Sequence, residues 1–96
     1  MEPVELHERL LELAREAGLR VERLPAVREA DAPTRSGVCR LRGELRVLLA
    51  PGDGIEDRIE ALAAGLRALG TAPLEGRWLP PAVRARLEGG SGGSGA

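Results

Sequence analysis

The chain has 96 residues and a mass of 10.2 kDa, enough for one small domain, with 14 basic residues against 15 acidic ones. So even a balance gives no bulk electrostatic attraction to nucleic acid or to an anionic membrane. One Cys and one His exclude an intramolecular disulfide and a closed Cys/His zinc site.

All the basic residues are arginine, while Lys, Asn, Gln, Phe and Tyr are absent and Leu and Ala together fill 30 positions. The missing types are mostly encoded by A/T-rich codons, so the bias reads as that of a GC-rich genome rather than of a function. No apolar run approaches the roughly 18 residues of a membrane span, and no signal peptide is visible. A soluble cytoplasmic protein is the expectation.

The first predicted element is a helix over Pro3–Ala17. Leu6, Leu10, Leu13 and Ala17 form one apolar stripe at helical period. Pro3 suits a first turn, and Gly18 with Leu19 fits a Schellman stop. Leu19 to Leu24 alternates and reads as a strand ended by Pro25. Residues 25–37 have a loop composition.

Val38–Arg42 and Leu45–Ala50 read as a hairpin around Gly43. Pairing symmetric about Gly43 sets Leu41 opposite Leu45 and Cys39 opposite Val47. That register gathers Arg40, Arg42 and Arg46 on the other face and keeps arginine apart from leucine. After the breaker Pro51–Gly54, in which Asp53 and Glu56 resemble a capping box, comes the strongest signal in the chain. Ile55, Ile59, Leu62, Leu66 and Leu69 predict a helix over about 54–69, stopped by Gly70. Leu74–Leu79 reads as extended, and Pro80-Pro81 opens a short helix, Ala82–Leu87.

Residues 89–96 are Gly, Ser and Ala only. They form a flexible tail, native or an added linker, and are set aside. The expected architecture is a single α+β domain over residues 1–88. A three-stranded sheet packs against two amphipathic helices, with a short C-terminal helix. Its core is predicted to contain Leu6, Leu10, Leu13, Val21, Leu41, Val47, Ile59, Leu62 and Leu66. A domain this small buries only about 60% of its unfolded-chain surface, so self-association is expected.

The residues that carry chemistry are few. His7-Glu8-Arg9-Leu10-Leu11 begins like His-Glu-x-x-His, but that motif needs two imidazoles one turn apart to share a metal. His7 is therefore read as a surface or boundary histidine. Cys39 is read as a small packing residue, since no His or helix N-terminus is predicted beside it. No catalytic residue, cofactor or metal ligand is assigned.

Two candidate interaction surfaces remain. Arg40, Arg42 and Arg46 could form a small anion patch, or could cover apolar neighbours with their stems. With no aromatic side chain to stack bases there, nucleic acid is disfavoured. Ala61, Ala64, Gly65 and Ala68 lie on the helix face away from the Ile/Leu stripe, where small side chains permit close approach. The C-terminal Trp78–Leu87 segment or a second subunit could cover them, or the face is simply alanine-rich. Trp78 is expected to anchor the C-terminal segment on the core, with an exposed interaction anchor as the second reading.

Gly18-Leu19-Arg20-Val21, the strand Leu45–Pro51 and the helix Leu62–Ala68 together resemble the N-terminal region of the ImmA/IrrE-type bacterial metallopeptidases. In that alignment Ala64 and Ala68 stand where the family has zinc-binding histidines, and Gly65 where it has the catalytic glutamate. The segment Leu74–Arg84 also resembles short uncharacterised bacterial proteins. The resemblance implies a degenerate, zinc-free scaffold. The function expected is non-catalytic, through contacts with a second copy or another protein. The alternative is an anion-binding module built on the arginine face.

Overall fold

A computed structural model describes residues 1–24, 35–70 and 72–88. The chain runs through α1 (Pro3–Ala17), β1 (Arg20–Arg23), β2 (Gly37–Leu41), β3 (Glu44–Leu49), α2 (Ile55–Leu69), a 3-10 turn (Ala72–Leu74) and α3 (Pro81–Glu88). It is a small α+β fold. The predicted tail, 89–96, and most of the predicted loop lie outside the described residues.

Helix α1 ends as its sequence dictates. Gly18 adopts φ 84°, and the N–H groups of Gly18 and Leu19 donate to the carbonyls of Arg15 and Ala14 at 3.1 and 2.8 Å, a Schellman closure. It delivers Leu19, buried, directly into β1.

The sheet order is β1-β3-β2, with β1 parallel and β2 antiparallel to β3. Helices α1 and α2 pack on each other, and α3 touches both. The core joins Leu6, Leu10 and Leu13 of α1, Val47 and Leu49 of β3, Ile59, Leu62 and Leu66 of α2, and Val83 of α3. Val21 packs against its edge.

The hairpin departs from the predicted register. Cys39 lies opposite Arg46, Arg40 opposite Leu45, and Leu41 opposite Glu44. The cause is the turn: Arg42 and Gly43 both have positive φ, 55° and 83°. A two-residue loop of that kind matches the twist of the flanking strands, and it slides the pairing by one residue. The slip redistributes side chains between the faces. Val38, Leu45 and Val47 share the helix side with Arg40, while Cys39, Leu41, Arg46 and Leu48 share the other. Leu41, expected in the core, is instead 50% exposed.

Asp53 does not cap α2. The N-cap position is Gly54, without a side-chain cap bond. The Asp53 carboxylate instead accepts the Ser36 backbone N–H, and the Ser36 hydroxyl accepts the Ala50 N–H at 2.9 Å. These bonds clasp the start of β2 to the end of β3, and the Ser36 backbone N–H, aided by the Ser36 hydroxyl, holds the Asp53 carboxyl below its ordinary acid range.

Candidate functional site

The predicted arginine face is divided by the observed register. Arg46 points away from the helices and donates to Glu22 at 2.6 Å and to Glu44 at 3.0 Å. Arg20 adds to the cluster with Glu22 at 3.3 Å. Arg40 lies on the opposite face, and Arg42 occupies the turn. Mixing arginine with leucine on one face carries little cost here, because β1 brings Glu22 beside Arg46. That neighbour depends on the β1–β3 pairing, which hairpin patterning alone does not reveal.

The small-residue face of α2 is also resolved. Ala61 and Gly65 are buried, Ala64 is half-buried and Ala68 is exposed. A Cβ built on Gly65 would stand 2.3 Å from Val47 Cγ2 and 3.1 Å from Leu19 Cδ2. At Gly65 the element lying across this face is therefore the chain's own sheet, contacted by α2 at β2 and β3, while Ala64 borders an open groove. Close helix–sheet approach is what the missing side chain permits. Trp78 does not anchor the C-terminal segment: it is 76% exposed. Val83 packs into the core, while Arg67 grips α3 by donating to the Arg86 carbonyl at 2.7 Å.

His7 is buried rather than superficial, at 6% exposure. Its Nε2 has no hydrogen-bond partner among the described residues. It lines a cavity of about 120 Å³ with Arg23, Leu49 and Arg58. Arg58 is occupied elsewhere, donating to the carbonyls of Ala50 and Pro51 at 3.1 and 2.9 Å. Burial pushes the imidazole below its ordinary value of 6.5, Glu8 opposes the shift, and Arg58 and Arg23 reinforce it.

The sign of the consequence follows from linkage. Between the depressed folded value and the ordinary one, the unfolded chain binds the proton and the folded chain does not, so stability rises with pH. Acidification from about pH 7.5 to 5 should lower the urea midpoint of the wild type more than that of His7→Leu. Equal losses in the two proteins would remove this role for His7.

Sequence reasoning missed the more open feature, a groove of about 620 Å³ between α2 and the start of β2. Ser36, Gly37 and Val38 form one wall, and Asp57, Glu60 and Ala64 the other. Because β2 is an outer strand, its far side pairs with no described strand. Exposed Val38 and Leu41 accompany that edge. The Arg42-Gly43 dipeptide was the available signal, since a two-residue turn sets which residues of β2 face out.

Chemically the arrangement is sparse. Among the described residues no group of three His, Cys, Asp or Glu side chains is placed to hold a metal ion, and no described helix is long and apolar enough to cross a membrane. In comparisons with known proteins, no family model, no characterised protein and no solved structure matches this chain.

Proposed function

We propose that this is a non-catalytic protein that acts through protein contacts, with self-association first among them. The observation that carries the reading is the edge of β2 that pairs with no described strand, flanked by exposed Val38 and Leu41 and bordered by the groove along α2. An open strand edge is a template for pairing with another chain, and proteins that leave it uncovered normally use it or protect it.

Residue chemistry supports the non-catalytic part. The single imidazole is buried with its Nε2 unpartnered among the described residues. At position 65, where the metallopeptidase alignment requires glutamate, Val47 leaves no room for a Cβ. The inactive zincin-like scaffold itself rests on the sequence resemblance of Leu62–Ala68. The arginine face is the weaker reading, because Arg46 is held by Glu22 and Glu44.

Light scattering behind a sizing column is the test, run at tens of micromolar with and without residues 89–96. A dimer is the expected species in both runs. A strictly monomeric chain across that range overturns the self-association reading, and stoichiometric zinc in the purified protein overturns the non-catalytic one.

A further inference from the structure

Backbone alternation identifies which groups the β2 edge offers. In the antiparallel ladder, residues that exchange bonds with the partner strand alternate with residues whose N–H and C=O point away. A two-residue turn puts the first exchanged pair at its base, here Leu41 with Glu44. The next are Cys39 with Arg46 and Gly37 with Leu48. The N–H and C=O of Val38 and Arg40 therefore face away from β3, toward the edge that pairs with no described strand. Two bonds in β3 agree with this phase: the Leu49 carbonyl accepts from Leu24 on the β1 side, and the Ala50 N–H donates to Ser36 on the β2 side.

We propose that β2 pairs antiparallel with β2 of a second copy about a two-fold axis at Cys39, joining two three-stranded sheets into one of six strands. The inference rests on the self-association reading and specifies its geometry. Val38 of each copy then exchanges both bonds with Arg40 of the other. Gly37 lies opposite Leu41, and Cys39 faces its own counterpart.

Two complementarities on this surface select that occupant and that register. Leu41, half exposed in one copy, falls above Gly37 of the other, which has no side chain and open space where a Cβ would be. There it meets Leu48, the neighbour of Gly37 across the ladder. Arg40 and Arg42 at the hairpin tip come alongside the far end of the groove, which Asp53, Asp57 and Glu60 line together with Arg35. Asp57 forms no ion pair among the described residues, whereas Glu60 already meets Arg67 and Arg86. The axis also makes the contact isologous, so each match occurs twice and the assembly closes as a dimer.

Cys39 supplies a built-in reporter of the register. It occupies a non-hydrogen-bonded pair, where opposed Cα atoms lie about 4.5 Å apart, inside the range a disulfide spans. The experiment combines light scattering of the full chain with diamide oxidation and non-reducing electrophoresis. The wild type should be a dimer that cross-links through Cys39, and Cys39→Ser should remain a dimer without the cross-link. Arg40→Pro removes an outward N–H while leaving the ladder to β3 intact, and should weaken dimerisation about tenfold or more with an unchanged circular dichroism spectrum. Asp57→Arg, on the helix, tests the charge match independently should the proline variant not fold, and should weaken dimerisation in a salt-dependent manner. A dimer that fails to cross-link and is indifferent to Arg40→Pro and Asp57→Arg overturns the edge pairing alone. A monomeric wild type overturns both this geometry and the self-association on which it rests.

Discussion

Gly65→Val is expected to leave the chain largely unfolded at 25 °C, the largest effect of any single substitution considered. Even one added carbon at this position would stand 2.3 Å from Val47 Cγ2, far inside contact distance. Val47 has no easy escape, because it is fully buried, sits on the central strand and has a stiff, β-branched side chain. Glycine inside a helix costs about 1 kcal/mol relative to alanine, so Gly65→Ala recovers that amount. Overpacking a close-packed core costs about 1–3 kcal/mol, and a contact this short belongs at the upper end. The net change for Gly65→Ala should be destabilising, and valine, with two further methyl groups, should exceed it by several-fold. Urea titration followed by circular dichroism reads both. The cycle with Val47→Ala isolates the cause: the double variant Gly65→Ala/Val47→Ala should lose less stability than the two single changes added together. Full additivity, or a stabilised Gly65→Ala, contradicts the close approach.

Leu62→Ala carries the second large effect. Leu62 is fully buried where the stripe of α2 meets the core side chains of α1. Removing a buried leucine side chain costs about 2–5 kcal/mol, depending on how far the surroundings collapse into the space. Stability is typically about 0.05–0.15 kcal/mol per residue, so for a chain of this size the loss is a large part of the whole. Leu41→Ala, by contrast, should change monomer stability by less than about 1 kcal/mol, because its side chain is half exposed. Comparable losses at Leu41 and Leu62 in dilute urea titrations would mean that the hairpin register, and with it the assignment of faces, is wrong.

Those two leucines also mark what was legible in the sequence. Helices announce themselves locally: the spacing of Leu6, Leu10 and Leu13, or of Ile59, Leu62 and Leu66, defines one face without knowledge of anything else. The predicted span of α1 coincides with the observed Pro3–Ala17, and α2 differs by one residue at its start. Strand pairing is not local in this sense. The hairpin face depended on whether the turn held two residues or three, a choice made by Arg42 adopting positive φ. Keeping arginine away from leucine favoured the wrong choice, since the carboxylate that accommodates Arg46 arrives from β1, a distant segment. The burial of His7 was hidden for a similar reason, because the cavity beside it is built from Arg23, Leu49 and Arg58. The small face of α2 was visible as a pattern, but its cover was not.

The parallel pairing of β1 with β3 also bears on the order in which the molecule assembles. Residues 37–69 form the hairpin and α2 from contiguous chain, so their contacts close short loops with small entropic losses. Strand β1 can dock only after β3 exists, across the whole intervening segment, and such non-local pairings are the slow ones. It is then held by the four pairs from Arg20↔Arg46 to Arg23↔Leu49, with no described strand on its other side. The amide protons of β1 are therefore the ones to trade with solvent soonest, while those of the hairpin base and the middle of α2 report the opening of the entire domain.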